Sequence, residues 1–367
     1  MKKIISFAKS EIVLVISFVL AVISMFFVHP SKDYLSYINR SVLIILFCLM
    51  LAVAGMRNIG LFTKASELML KKAGNVRKLG FIMMNLCFFT SMLITNDVAL
   101  ITFVPLSLMI FEKSSNKKDL ILTTVIETAA ANLGSAMTPV GNPQNLYVYS
   151  YYNMSIKDFC TTMLPFVLFS YLLLTLLCLT LSKEKLTVNQ ETTKPVPKGK
   201  LTVYTVLFLL SLLTVLRILP DYICLIICFI VIAAVNRGLL LKVDYSLLFT
   251  FVFFFIFVGN AGNIDVIRDF VSKAVRGREL LVAPLLSQVL SNVPTAVMLS
   301  GFTDNAIALL KGMNLGGLGT PIASMASLIS YKFYVKSPKA ENGRYMKLFL
   351  LINFGLLLIL TVFLLIF

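Results

Sequence analysis

The chain has 367 residues, 58% of them hydrophobic, with a mean hydropathy of +0.91. That composition excludes an ordinary soluble domain and marks an integral membrane protein with no room for a separate soluble catalytic domain. The formal charge of +16 sits in short basic segments between apolar runs, which orients a membrane protein and does not call for nucleic acid.

In chain order, Met1-Lys2-Lys3 and the apolar run that follows could mimic a signal peptide. The run is long and ends at His29-Pro30 without a small-residue cleavage site, so it reads as a first span. Spans are expected at 11–28, 41–56, 120–149 (broken), 160–181, 201–219, 222–236, 245–259, 312–331 (broken) and 347–367. Two further apolar segments, 79–111 and 280–310, carry a polar notch, Thr95-Asn96-Asp97 in one and Ser291-Asn292-Val293-Pro294 in the other. Their arms are mostly short of the roughly 20 residues a span needs, so both are expected to be re-entrant hairpins with tips inside the protein. Two ordinary spans joined by a tight turn are the alternative. The polar, Pro-containing stretch 182–200 reads as a linker between halves 1–181 and 201–367.

With the N-terminus cytoplasmic, basic residues gather on the inner side: Arg57, Lys64, Lys71, Lys72, Arg77, Lys78, Lys113, Lys117, Lys118, the linker lysines, Lys332, Lys336, Lys339 and Arg344. Arg268, Lys273, Arg276 and Arg278 fall outside in this topology, on an expected surface helix with Asp265, Asp269 and Glu279. The six cysteines read as packed, reduced thiols. Cys224 and Cys228 share a helix face but are too few ligands for a metal.

The two breaks nearly repeat each other. Residues 132–140 (NLGSAMTPV) match 314–322 (NLGGLGTPI) at five of nine positions. Two broken helices at matching places in two halves point to a transporter binding site, and because the spans that precede the two hairpins are the second and seventh crossings, they run in opposite directions and the repeat is inverted. Thr138-Pro139 and Thr320-Pro321 read as an N-cap hydroxyl followed by Pro at the first helical position, as do the hairpin tips at Thr95 or Asn96 and at Ser291 or Asn292. Four half-helix N-termini would then face one pocket suited to an anion. Carbonyls ending the preceding half-helices, with side-chain oxygens of Asn96, Asp97, Asn132 and Thr138, suit Na⁺. Substrate contacts are expected from Thr95, Asn96, Asn142, Gln144, Asn145, Ser291, Asn292 and Thr320, and ion coupling from Asp97, Asn132, Gly134, Thr138, Asn314 and Gly316.

A carboxylate at membrane depth costs about 2.5–3.5 kcal/mol on insertion scales, which makes Asp97 a candidate for ion or proton coupling, with a structural N-cap as the other reading. Glu127, on the face of Gly134, faces either the pocket or a basic partner. Tyr147, Tyr149, Tyr151 and Tyr152 read as an outer interface belt, and His29 as interfacial. With one histidine, no His-Glu-x-x-His and no Ser–His pair, an intramembrane enzyme is excluded. No nucleotide-binding motif provides for ATP drive.

The tips Thr95-Asn96-Asp97 and Ser291-Asn292-Val293, with the breaks Asn132 to Asn145 and Asn314 to Ser327, resemble the ion transporter superfamily. That group includes citrate-transporter-like permeases, divalent anion–sodium symporters, and the related arsenite and sodium–proton antiporter families. The most specific piece, Gly141-Asn142-Pro143-Gln144-Asn145, looks like the anion-permease branch. The resemblance implies a homodimer in the cytoplasmic membrane, a scaffold and an elevator-like transport domain, Na⁺ at the hairpin and break loops, and substrate between the tips. No organic cofactor is expected, only Na⁺ or H⁺ as coupling ion. Where dicarboxylate symporters carry Ser-Asn-Thr at both tips, Asp97 and Val293 stand at the third position here. The sequence thus predicts an all-α polytopic carrier of a small carboxylate or inorganic oxyanion. A Na⁺/H⁺ antiporter using Asp97 and an arsenite or antimonite efflux permease are the alternatives.

Overall fold

A computed structural model describes residues 11–70, 73–111, 117–185 and 195–366. Lys71, Lys72, Lys113 and positions 186–194 of the linker lie outside the described residues. The fold is helical, with one isolated bridge between Asn75 and Lys185. Among the described residues eight helices are long and apolar enough to cross a bilayer.

The helices are α1 (Ile12–Met25), α2 (Tyr34–Tyr37), α3 (Arg40–Asn58), α4 (Leu61–Leu70), α5 (Val76–Ile94), α6 (Asn96–Phe111), α7 (Lys117–Ser135), α8 (Pro143–Tyr151) and α9 (Ile156–Cys178). They continue as α10 (Lys198–Val215), α11 (Asp221–Asn236), α12 (Tyr245–Gly262), α13 (Asp265–Val275), α14 (Glu279–Leu290), α15 (Asn292–Ser300), α16 (Ala306–Gly316), α17 (Met325–Val335) and α18 (Asn342–Ile366). Short 3₁₀ turns occupy Arg237–Lys242 and Pro321–Ala323.

Several expected boundaries shift. The first apolar run forms a helix of only 14 residues. The arm α5 has 19 residues, long enough to cross, where a shorter arm was expected. The second hairpin ends at Ser300, because Asn305 caps a new helix by accepting from the Ala308 N–H (3.0 Å). Residues 306–310, expected in that hairpin, therefore begin the second broken helix.

α7 is the centre of the molecule: every residue from Asp119 to Ser135 is buried. Helices in lipid associate through small residues that admit a neighbour's backbone, and Ala130 with Gly134, four residues apart on one face, supply such a pair. A Cβ on Gly134 would lie 2.2 Å from the Phe88 carbonyl oxygen of α5. A close approach also occurs between α16 and α14, where a Cβ on Gly316 would lie 2.4 Å from Ser287 Oγ and 3.2 Å from Pro284 Cα. By contrast, α9, α11 and α18 present rows of exposed Leu, Ile and Phe, as lipid-facing helices do. A second group packs α12 against α1, and α10 and α11 against α3.

The linker's described start is tied to the first hairpin. The Val76 N–H donates to Glu184 O and the Arg77 N–H to Ser182 O, both at 3.0 Å. At the other end of the chain, Lys117 and Arg344 both pair with Glu341 and hold its carboxyl below the usual range, Lys117 more strongly. The charged helix α13, with Asp265, Arg268, Asp269 and Lys273, has its apolar residues Val266 and Phe270 exposed, as a helix lying on a membrane surface would.

The substitution Gly134→Ala should destabilise by about 1–3 kcal/mol, because a backbone carbonyl cannot step aside. Gly355→Ala, with nothing within 4 Å of the added carbon, should leave stability unchanged. Thermal unfolding of the two purified variants checks the pair.

Candidate substrate and ion site

The hairpin tips are sharp. Thr95 joins α5 to α6 at φ 73°, ψ 149°, and Ser291 joins α14 to α15 at φ 75°, ψ 156°. This region of backbone space belongs almost entirely to glycine and costs about 1–3 kcal/mol for other residues, so surrounding contacts must hold both tips in place. The contacts correspond between the halves. Thr138 Oγ1 donates to Met92 O two residues before the end of α5, and Thr320 Oγ1 donates to Gln288 O (3.1 Å) two residues before the end of α14. The Asn96 N–H donates to Gly141 O (3.1 Å), while the Ser291 hydroxyl reaches Ala323 O (3.5 Å).

The helix restarts differ from expectation at the first break. Asn142, and not Thr138, is the N-cap of α8: its Oδ1 accepts from the Asn145 N–H (2.8 Å), and Pro143, not Pro139, takes the first helical position. The physical rule is the expected one, applied four residues later, where a polar cap and a Pro also stand together. Thr320-Pro321 opens only the 3₁₀ turn, and α17 itself begins after Ser324. Asn142 and Ser324 are equivalent in the repeat.

Between the breaks lies a reciprocal amide network. Asn132 Oδ1 accepts from Ser324 Oγ (3.0 Å), and Asn132 Nδ2 donates to Ser327 Oγ (3.1 Å). In the other half Asn314 Oδ1 accepts from Asn142 Nδ2 (3.4 Å), and Asn314 Nδ2 donates to Asn145 Oδ1 (2.8 Å). Each half's break asparagine therefore clasps the helix start of the other half. Asn132 also ties in the first tip through Asn96 Nδ2 (3.1 Å) and the second break through Gly317 O (3.2 Å). Asn145 Nδ2 donates to Ser135 O and Thr138 O, both at 3.2 Å, satisfying carbonyls freed where α7 ends.

Beside this network a cavity of about 150 Å³ opens between α3 and the first tip. Thr95, Asp97, Asn142 and Pro143 line it together with Arg57, Lys242 and Asp244. The N-termini of α6 and α8 border it; Ser291, Asn292 and Ser324 do not, so two of the four expected helix starts face it. Lys242 Nζ is held by Asn58 Oδ1 (2.8 Å), and Asp244 caps α12 by accepting from the Leu247 N–H (2.9 Å). Among the described residues Arg57 makes no salt bridge. The cavity thus holds two cationic and two carboxylate side chains beside polar helix ends. It can pair an anion with Arg57 and Lys242 and a cation or proton with Asp97.

The remaining expected residues are distributed as follows. Asn96, Asn132, Asn145 and Asn314 form the network behind the cavity. Gln144 is buried in the first turn of α8. Gly134 and Gly316 lie at close helix contacts, where neighbouring backbone or side chains leave no room for a Cβ. Thr320 is bound on both sides by Gln288, whose Oε1 accepts from its N–H (2.7 Å). Glu127 is fully buried and accepts from Ser107 Oγ; it does not line the cavity, and among the described residues it pairs with no basic side chain.

The tyrosine belt is also corrected. Tyr147 and Tyr149 are buried, because α8 packs against α15, and the Tyr147 hydroxyl lies 2.6 Å from Ser300 Oγ. Tyr152 donates to Thr303 O (2.7 Å), and Tyr149 carries Arg217 over its ring at 4.9 Å. Sequence reasoning took Arg57 only as a topology marker and passed over Lys242 and Asp244. Their one signal was charge at the ends of the apolar runs flanking the first hairpin in space.

Replacing Asn132 by Ala should cost at least about 2 kcal/mol, since Asn96, Ser324 and Ser327 would lose a partner while buried. Asn314→Ala should behave alike, and a chemical or thermal melt of either variant checks it.

The citrate transporter family model matches residues 2–308. An uncharacterized transporter of Methanocaldococcus jannaschii is 33% identical over 302 residues, 82% of each chain. The inner membrane protein YbiR of Escherichia coli is 29% identical over 315 residues, 84% of each chain. A silicon efflux transporter of Oryza sativa subsp. japonica, LSI3, is 29% identical over 147 residues, which is 39% of this chain and 29% of that protein. Among solved structures, the YdaH transporter of Alcanivorax borkumensis superposes with a TM-score of 0.55 at 14% identity, covering 90% of this chain and 86% of that one. That likeness is one of fold.

Proposed function

Since this chain belongs to the citrate transporter family and is a multi-pass membrane transporter, we propose that it carries a small carboxylate or inorganic oxyanion by secondary active transport. The observation that carries this reading is the cavity of about 150 Å³ whose lining includes Arg57, Lys242 and Asp97 beside two helix N-termini. Its volume suits a solute of a few heavy atoms. Two cations and the N–H groups at the starts of α6 and α8 favour an anion. Asp97 provides the second charge that coupling needs, a seat for Na⁺ or H⁺ beside the substrate.

The correspondence of the two halves supports alternating access. The two tips, the two caps and the two clasping asparagines recur at constant spacing, 196 residues for the tips and 182 for the breaks. An inverted arrangement of such halves lets one set of contacts open to either side. In this reading the hairpins, breaks and their partner helices α5–α9 and α14–α18 move together as an elevator against α1, α3 and α10–α12, within a homodimer in the cytoplasmic membrane. The N-terminus is cytoplasmic.

A second reading is cation–proton exchange at Asp97, favoured by its place on the cavity wall. Proteoliposomes loaded to give an inward Na⁺ or H⁺ gradient separate the two. The anion carrier should concentrate one of citrate, succinate, sulfate or phosphate. Arg57→Ala or Lys242→Ala should raise the half-saturating concentration about tenfold, as loss of a charged hydrogen bond would. Asp97→Asn should abolish gradient-driven accumulation while anion exchange persists. Na⁺/H⁺ exchange indifferent to every anion, lost in Asp97→Asn, would establish the second reading instead.

A further inference from the structure

Away from the cavity, packing brings together three thiols that are far apart in the chain. Cys224 and Cys228 stand four residues apart on one face of α11, and Cys48 comes from α3 against it. The three Sγ atoms lie within 4.8 Å of one another, with 3.9 Å between Cys224 and Cys228. All three residues are fully buried, and Ser211 Oγ of α10 lies 3.8 Å from Cys224 Sγ. The sequence shows only the pair on α11. The third thiol, which raises a poor ligand set to a closed one, appears only in the fold.

We propose that Cys48, Cys224 and Cys228 form a binding site for a trivalent thiophilic centre, arsenic(III) or antimony(III), taken up as its neutral trihydroxide. Geometry and charge both point there. With two of the sulfurs 3.9 Å apart and all three within 4.8 Å of one another, a shift of less than about 1 Å brings them around a point roughly 2.3 Å from each, which is a thiolate–metal bond length. A pyramidal centre, lying above that plane, draws them slightly closer. Thiolates, not thiols, are the ligands, so a filled site carries three negative charges from the protein. A monovalent ion would leave two of them and a divalent ion one, in an apolar helix bundle where net charge is costly. A trivalent centre leaves none.

The exchange balances without an outside reactant. Three S–H and three As–O bonds break, three As–S bonds form, and three waters leave with the thiol protons. The oxidation state of arsenic is unchanged, and no net charge enters or leaves the site. None of the three cysteines lines the cavity that holds Asp97, so the site stands apart from the transported solute, whatever that solute is.

The test uses the full-length, reduced protein in detergent, equilibrated with arsenite and then desalted. Elemental mass spectrometry should find about one arsenic per chain, retained against a monothiol and released by a dithiol. Cys48→Ser and Cys228→Ser should each lower retention about tenfold or more. A chain with Cys87, Cys160 and Cys178 changed to Ser should keep it. Cys48→Ala replaces Cys48→Ser if the hydroxyl disturbs the apolar packing, and the elution profile in gel filtration confirms folding. No retained arsenic in the wild-type chain, undiminished retention without Cys48, or retention of Ag⁺ in place of arsenite would each overturn the proposal.

Discussion

A backbone that breaks helix inside a bilayer must find its hydrogen bonds within the protein. This chain breaks twice and turns back sharply twice, and that constraint organises the rest. The freed groups at the end of α7 are met by Asn145, and the restart of α8 by Asn142. The break asparagines Asn132 and Asn314 then bind across to the other half. Because each half completes the other, the two breaks are held as one unit, and two non-glycine tips can be kept in a backbone region that they would not choose alone.

The same constraint explains where function can sit. A network whose members satisfy one another offers little to a solute, and most of the amides singled out by sequence belong to that network. The free chemistry lies at its edge, where the first tip and the start of α8 meet α3 and Arg57, Lys242, Asp97 and Asp244 surround a small cavity. The two halves are unequal at this point. Asp97 stands at the first tip and the apolar Val293 at the second, so the correspondence that builds the frame does not extend to its charge. In the proposed cycle the asymmetry gives one coupling site per chain.

How much was legible in the sequence follows from the kind of signal. The matched breaks and notches were readable because identity between two distant segments survives in the letters, and the tips fall at Thr95 and Ser291 as the notches indicated. The first cap was misplaced because Thr138-Pro139 and Asn142-Pro143 obey the same local rule, and only the end of α7 decides between them. Tyr147 and Tyr149 were misread because an aromatic at the end of an apolar run looks alike whether it meets headgroups or another helix. Arg57, Lys242 and the third cysteine, Cys48, gain their meaning from helices packed far apart in sequence, which no spacing reports.

The central claim, an anion and a coupling cation sharing one site, is tested most directly by ligand-dependent thermal stability of the purified protein. A ligand that binds only the folded state raises the melting temperature with occupancy. The grid crosses Na⁺, K⁺ and Li⁺ at several pH values with citrate, succinate, sulfate and phosphate. The account predicts that one anion class stabilises the protein and does so far more strongly with its coupling cation present. Stabilisation by Na⁺ or Li⁺ alone, fading at low pH and blind to every anion, would contradict it.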